Sequence, residues 1–266
     1  MTTPVALSIA GSDSSGGAGI QADLKTFAAL SVYGASAITA LTAQNTRGVS
    51  AIHPVPPEFV TAQLDAVFAD LSVGAVKTGM LGGRATVDAL AAAFKRWSPP
   101  FVVIDPVMVA TSGDRLLPAD AVDALRTKLI PLAAIITPNL PEAAVLLSEP
   151  VAVSDAAIES QGRRLLSLGC SHVLIKGGHA HGSESIDYLI SANSTVPLAG
   201  PRFITQNTHG TGCSLSAAIA AGLAKGEDME TAVRNAKVFI SAAIASADRF
   251  AVGHGRGPVH HFHRYY

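Results

Sequence analysis

Asn207-Thr208-His209-Gly210-Thr211-Gly212-Cys213 runs directly into an apolar, alanine-rich stretch, Leu215 to Ala224. The spacing predicts a glycine-rich turn that becomes the start of a helix. Amide N–H groups at such a junction have no partners inside the helix, and the helix dipole adds partial positive charge. That arrangement suits developing negative charge on a phosphoryl group, and it sets the Cys213 thiol beside the same spot. Three readings of Cys213 stand side by side. It is a small buried hydrophobe, a nucleophile paired with His209 as in thiol hydrolases, or a general base that takes a proton from a substrate hydroxyl. A free thiol titrates near about 8.5 and a helix N-terminus lowers that, while an adjacent polyphosphate pushes it back up. Phosphoryl transfer has a loose transition state with little early need for a strong base, whereas peptide hydrolysis needs a firmly paired thiolate. The Gly-x-Gly turn favours phosphoryl transfer.

Phosphate binding also needs fixed positive charge, and Lys176 at a predicted strand end supplies it. No G-x-x-x-x-G-K-[ST] run is present, so the chain is not a P-loop protein. Gly11-Ser-Asp-Ser-Ser-Gly-Gly-Ala-Gly19 is glycine-rich without matching G-x-G-x-x-G. It reads as a tightly turned loop near a ligand or as a plain strand-to-helix turn. Magnesium takes one or two carboxylates with phosphate oxygens and waters, and Asp105 and Glu142 at neighbouring strand ends are candidates, acting directly or through water. The alternative is that Asp105 orders its own loop before Pro106 and Glu142 is a first-turn helix acid after Pro141. His254, His260, His261 and His263 crowd the tail. His-x-His can hold zinc, but no cysteine or carboxylate stands close by, and a packed C-terminal segment is expected.

The elements that must position these residues alternate regularly. Strands are expected at Val5–Ala10, Ala35–Ala43, Ala75–Lys77, Phe101–Asp105, Ala133–Ile136 and His172–Lys176, as short apolar runs. Helical spacing marks 20–27, 60–71 after Pro56-Pro57, 86–97, 119–130, 142–147, 156–168, 213–225 and 229–247. Ile186–Ile190 and Ser194–Leu198 suggest a hairpin or small sheet extension. The β-α-β-α rhythm implies a mainly parallel sheet with helices on both faces, read as one domain over 1–266 without internal repeats. In open parallel sheets ligands gather at the carboxyl ends of the strands. The unusual polar residues fall there: Gly11–Gly19, Gln44-Asn45, Thr78-Gly79-Met80, Asp105, Asn139 with Glu142, and Lys176-Gly-Gly-His179.

The composition agrees and excludes other classes. The chain has 266 residues, 48% hydrophobic and 15% charged, enough to fill a substantial core. A domain near this size buries about 75% of the surface of its unfolded chain. Lysine plus arginine number 19 against 20 acidic residues, so no basic field draws it to nucleic acid. No segment approaches the roughly 20 apolar residues that span a bilayer, and Met1-Thr2-Thr3-Pro4 lacks the basic start of a secretory signal. Cys170 and Cys213 form no C-x-x-C pair, and two free thiols in the cytosol is the simpler reading.

The segment Gly11-Ser-Asp-Ser-Ser-Gly-Gly-Ala-Gly-Ile-Gln-Ala-Asp-Leu-Lys-Thr-Phe27 closely resembles the N-terminal signature of hydroxymethylpyrimidine/phosphomethylpyrimidine kinases, the thiamine-pathway branch of the ribokinase-like superfamily. The resemblance continues through Ile38–Thr46, Lys77-Thr-Gly-Met80, Asp105-Pro-Val-Met108, Thr137-Pro-Asn-Leu-Pro-Glu142, Lys176-Gly-Gly-His179, Asn207–Cys213 and Gly253–Phe262, in order over nearly the whole chain. It implies a ribokinase-like three-layer α/β/α sandwich. The reaction it implies is ATP-dependent phosphorylation of 4-amino-5-hydroxymethyl-2-methylpyrimidine and then of its monophosphate. By the same resemblance Gln44 holds the pyrimidine edge, as an amide with donor and acceptor can. Gly11, Met80 and Val107 line the ring pocket and Asp23 helps hold the substrate. Cys213 is the base on the hydroxymethyl group, and Gly210, Thr211 and Gly212 form the anion hole. Lys176 bridges ATP phosphates, with Asn139 and Thr211 also on the nucleotide and Asp105 and Glu142 near Mg2+. A homodimer is the implied assembly. Many ribokinase-like enzymes carry aspartate where Cys213 stands, and certain pyridoxal kinases share the cysteine. Pyridoxal or pyridoxine is therefore the rival acceptor, and a binding module without turnover is the rival class.

Overall fold

A single twisted sheet of nine strands carries the molecule, in the order β3-β2-β1-β4-β5-β6-β7-β8-β9. The computed structural model describes residues 3–108, 117–177 and 184–266. The strands are β1 (Val5–Asp13), β2 (Tyr33–Asn45), β3 (Gly48–Pro54), β4 (Ala75–Thr78), β5 (Val102–Ile104), β6 (Ile135–Ile136), β7 (His172–Ile175), β8 (Glu184–Ser191) and β9 (Thr195–Pro201). The helices are α1 (Gly19–Ala29), α2 (Pro57–Phe68), α3 (Arg84–Trp97), α4 (Ala119–Ala124), α5 (Leu140–Leu147), α6 (Asp155–Leu166), α7 (Thr211–Ala224) and α8 (Met229–Ala245). The strands from β2 to β7 pair in parallel. β3 and the β8–β9 hairpin add antiparallel edges.

Strand side chains alternate between faces, and the alternation divides the core in two. Leu7, Ile9, Val76, Val102, Ile104, Ile136, Val173 and Ile175 pack with α2 to α6 on one side. Ala6, Ala75, Val103, Ile135 and Leu174 pack with α1, α7 and α8 on the other. The two buried faces explain why these strands are continuous apolar runs. Helix α7 is buried without a break from Ser214 to Leu223, lying over β1, β4 and β5 and beside α1 and α8. Its small residues permit that closeness: a Cβ on Gly222 would come within 2.9 Å of Ala232 Cβ on α8.

Sheet order reverses at β1 and β4, because the connection through α1 goes to β2 on one side and the chain returns through α2 to β4 on the other. A crevice at the carboxyl ends of the strands forms at such a reversal, and the N-terminus of α7 opens into it.

Three expectations need correction. β3 was not foreseen: most of its residues are exposed, so the edge strand carries no apolar alternation to betray it, and its closing Pro54 sits at an edge where no ladder N–H is required. β2 runs on through Gln44 and Asn45, and β1 through Asp13 with a register shift between Ala10 and Ser12, so these polar residues belong to the strands and do not follow them. The helix expected over 119–130 is α-helical only to Ala124, then widens into a π turn over Leu125–Leu129 and tightens into a 3-10 turn over Ile130–Leu132, where Pro131 lacks the N–H for the regular ladder. Gly178 and His179 lie outside the described residues.

Candidate active site

The crevice is a cavity of about 1110 Å³. Its walls bring together Gly11 and Gln44 from β1 and β2, Met80 after β4, Asp105 and Val107 after β5, Asn139 and Glu142 at α5, Lys176 after β7, and Gly210 to Cys213 at α7. Of the residues expected in the site, Asp23 alone is not on this wall. It is wholly buried in α1, where Lys77 Nζ lies 2.8 and 3.0 Å from its two carboxylate oxygens and the Ser8 hydroxyl donates to it at 2.5 Å. Direct substrate contact is replaced by a buried ion pair beneath the floor. Lys77, on β4, is likewise wholly buried. Burial by itself would push its ammonium down, but Asp23, with Cys213 and Asp105 nearby, more than reverses this and holds it protonated.

One close backbone approach and one carboxylate shape the rear of the crevice. Gly210 caps α7 with φ of +79°, a left-handed conformation that glycine adopts without strain. A Cβ there would stand 1.9 Å from the Gly17 carbonyl oxygen, so the turn ahead of Cys213 and the loop after β1 are in backbone contact. Asp13 ties that loop together. Its Oδ1 accepts from the Ser15 N–H and hydroxyl, and its Oδ2 accepts from the N–H groups of Gly17 and Ala18. His209 Nε2 lies 2.8 Å from the same Oδ2. Burial would raise the Asp13 carboxyl, but these hydrogen bonds, led by His209, lower it to about 2. His209 Nε2 therefore serves Asp13, and among the described residues no hydrogen bond joins His209 to Cys213, as a thiol-hydrolase pair would need.

Cys213 is partly exposed at the cavity, and neither cysteine is in a disulfide. Burial pushes its thiol above the ordinary value, outweighing the opposing charge of Lys77. The lowering that a helix N-terminus was expected to produce is overridden by desolvation.

At the other end of the α7 turn, Lys176 Nζ binds Asp105 Oδ1 at 2.9 Å and lies 3.9 Å from Glu142 Oε2. Thr137 donates to Asp105 Oδ1 at 3.1 Å, leaving Oδ2 with the Ser216 hydroxyl at 3.4 Å. Burial would raise the Asp105 carboxyl, but Lys176 and Lys77 hold it low. Lys176 is raised to about 12 because Asp105 and Glu142 overcome the effect of burial. Glu142 is pushed up to about 7 by burial, which Lys176 only partly offsets. Asn139 and Glu142 form a reciprocal capping box at α5: each side chain accepts from the other's backbone N–H at 2.8 Å. Lys176 also lies close to Gly212, where an added Cβ would be 3.4 Å from Nζ. A cationic side chain and the N-terminal amides of α7 thus converge on one volume.

The far end of the cavity is lined by Arg202, Phe203, Lys237 and Ile240, with Lys237 paired to Asp187 at 2.7 Å. The tail histidines pack: His261 Nε2 lies 2.9 Å from the Ser214 hydroxyl, His260 Nε2 lies 2.9 Å from the Tyr266 carbonyl oxygen, and burial lowers His261 to about 3. Among the described residues no group of three or more His, Cys, Asp or Glu is placed to hold a metal ion.

Residue-by-residue reading missed Asp13, Lys77, Thr137 and Ser216 as parts of the site. A lysine inside the fully buried strand Ala75–Thr78 was the legible signal for Lys77, because a buried ammonium demands an anion. The other three depend on contacts across 32 to 196 positions of chain.

The phosphomethylpyrimidine kinase family model matches residues 13–260. The hydroxymethylpyrimidine/phosphomethylpyrimidine kinase of Rhizobium meliloti (strain 1021) is 56% identical over 264 residues, covering 99% of both chains. That of Escherichia coli (strain K12) is 51% identical over 261 residues, covering 98% of each. Among solved structures, an ADP complex of Bacillus subtilis pyridoxal kinase superposes with a TM-score of 0.92 at 37% identity over 100% of both chains. The phosphomethylpyrimidine kinase of Clostridium difficile 630 gives 0.80 at 42% identity, covering 90% of this chain and 99% of that one.

Proposed function

The chain belongs to the phosphomethylpyrimidine kinase family, and on that premise we propose that it phosphorylates 4-amino-5-hydroxymethyl-2-methylpyrimidine and then its monophosphate with ATP, in thiamine biosynthesis. One observation carries the assignment of roles: Cys213, Lys176 and the first amides of α7 open on the same cavity. Gln44 takes the pyrimidine edge, with Gly11, Met80 and Val107 around the ring. A Cβ on Gly11 would lie 2.3 Å from Met80 Cε, so the methionine tip packs directly on the glycine and together they form a wall suited to a flat ring. The nucleoside end of ATP takes the far end of the cavity, and Asn139 and Thr211 flank its phosphates.

In the first step the substrate's hydroxyl oxygen attacks the γ-phosphorus as the bond to the β,γ-bridging oxygen breaks, and ADP leaves with that electron pair. The hydroxyl proton passes to the Cys213 sulfur. Only the thiolate can take it, so Cys213 reacts in its ionised form beside the Lys77 ammonium and ends the step as the neutral thiol that burial favours. A loose transition state sheds the proton late, so a small thiolate fraction suffices. Lys176 and the N–H groups of Gly210 to Cys213 stabilise the charge on the migrating phosphoryl group, being oriented before the reaction starts. In the second step the acceptor is a phosphate oxygen already without a proton, so the base has little to do and the cationic turn does most of the work.

Asp105 and Glu142 fit a divalent ion held mainly by ATP. They are two carboxylates on the cavity wall, which matches magnesium's habit of taking few protein ligands and keeping phosphates and waters. A bound Mg2+ would supply charge neutralisation to the ATP phosphates. Glu142 must lose its proton to take part.

Pyridoxal is the second reading, favoured by the backbone likeness to pyridoxal kinases. A homodimer is proposed as the assembly, and light scattering tests it. No described helix is long and apolar enough to cross a membrane, and two free cysteines suit a reducing cytosol. Product analysis by 31P NMR tests the function: the mono- and then the diphosphate of the pyrimidine should appear, with kcat/KM above that for pyridoxal. ADP and inorganic phosphate alone would reject it.

A further inference from the structure

We propose that Asp13, His209 and Thr42 lock the sense of the Gln44 amide, so that they determine which way round a substrate's hydrogen-bonding edge must face. The inference rests on the assignment of Gln44 to the pyrimidine edge made above.

Asp13 sets the first constraint. Its carboxylate can only accept, and His209 Nε2 lies 2.8 Å from Oδ2. His209 therefore carries a proton on Nε2, whatever the state of the other ring nitrogen. The same Nε2 lies 3.3 Å from one end of the Gln44 amide, the Nε2 position. The opposite end, Oε1, lies 3.0 Å from Thr42 Oγ1. Two N–H groups cannot bond each other. A half-turn of the amide, which exchanges atoms of nearly equal size, resolves the conflict and satisfies every partner. Oε1 then accepts from His209 Nε2–H, which it shares with Asp13. Nε2 donates to Thr42 Oγ1, whose own proton already goes to the Ser12 carbonyl at 2.9 Å. The chain of polarity runs from the Ser12 carbonyl through Thr42 and Gln44 to His209 and Asp13, with each donor meeting an acceptor.

Gln44 keeps one N–H and one oxygen lone pair for a ligand, in fixed order: donor on the Thr42 side, acceptor on the His209 side. A ligand edge must offer the reverse order, an acceptor toward Thr42 and a donor toward His209. The aminopyrimidine does so with ring N3 and the 4-amino group. The carbon bearing the hydroxymethyl arm neighbours the amino carbon, and His209 opens the turn that ends at Cys213. The locked amide thus turns the reacting arm toward the sulfur. These residues position Gln44 and do not touch the reacting atoms.

The test uses two acceptors in the intact enzyme: the 4-amino substrate and its 4-oxo analogue, whose edge carries N3–H and C=O and so exchanges donor and acceptor. A site built around hydrogen bonds rejects a mismatched edge strongly, and the wild type should prefer the 4-amino compound by at least about 100-fold in kcat/KM. Thr42→Val keeps the β-branched shape and removes one of the amide's two anchors, and should shrink that ratio at least about tenfold while KM for ATP stays within about twofold. Asp13→Asn should do the same where its loop survives. Nitrogen-15 NMR of His209 in the wild type should show a proton on Nε2. A folded Thr42→Val enzyme with undiminished discrimination would overturn the proposal, and so would a His209 protonated on Nδ1 alone. Wild-type enzyme that turned over neither compound would instead sink the reaction assigned above, and the His209 tautomer would still decide the amide's sense.

Discussion

Replacing Lys77 by methionine isolates the energetics of the floor under the active site. Lys77 and Asp23 are both wholly buried, 2.8 Å apart. Methionine fills most of the lysine stem's volume, so packing changes little and the loss is chiefly that of the ammonium. Asp23 then keeps one partner, the Ser8 hydroxyl. Removing one member of a buried pair costs about 3–5 kcal/mol, because the survivor is left uncompensated. Native domains are stable by about 5–15 kcal/mol, so the variant should be folded but fragile. At about 2–4 °C per kcal/mol for a chain of this size, Tm should fall by roughly 6–20 °C. Changing Asp23 to leucine as well removes the stranded charge. Stability should then return to within about 1–3 kcal/mol of wild type, the residue being the Ser8 hydroxyl left without its acceptor. Urea denaturation of the wild type, both single variants and the double variant completes the cycle. The reasoning is refuted if the double variant is no more stable than Lys77→Met.

Gln44→Leu should raise KM for the pyrimidine at least about tenfold, through loss of two hydrogen bonds, and leave KM for ATP nearly unchanged; equal effects in steady-state kinetics would contradict the role. Glu142 titrates near 7 in the fold against 4.5 as an ordinary carboxyl, so the folded state binds its proton more tightly. The stability this contributes is complete below about pH 4.5 and is lost as pH rises through 7, to the extent of up to about 3 kcal/mol. Glu142→Gln should flatten that part of the stability–pH curve, and a variant curve parallel to wild type would remove Glu142 as its source. Gly210→Ala puts a methyl 1.9 Å from the Gly17 carbonyl oxygen at a φ of +79°. It should displace the turn and cut kcat at least about 100-fold, since small misplacement of positioned groups is costly; near-normal kcat would show that the turn does not depend on this approach.

Much of this could be read from the chain before folding. The parallel strands are buried on two faces and so appear as apolar runs, and Asp105, Glu142 and Lys176 announce themselves as charges at their ends. The glycine turn before α7 was visible because backbone amides and a thiol coincide in seven residues. What stayed hidden has a common physical cause. β3 is an exposed edge whose pairing comes from β2, not from its own pattern. The family resemblance made Asp23 a substrate residue, yet the helix turns it inward to meet Lys77 from a strand 54 positions away. His209 looked like a partner for Cys213 by proximity in sequence, and Asp13, 196 positions away, claims it. Partners distant along the chain leave no local trace.

The central step is the transfer of the acceptor alcohol's proton to the sulfur at the start of α7. Cys213→Ala tests it most directly, with calorimetry for pyrimidine binding and separate assays of the two phosphorylations. Loss of a general base costs about 10²–10⁴ in rate. The first phosphorylation should fall by that much, the second by far less, and the affinity for the pyrimidine hardly at all. An alanine variant that phosphorylates the alcohol at the wild-type rate would contradict the account at its centre.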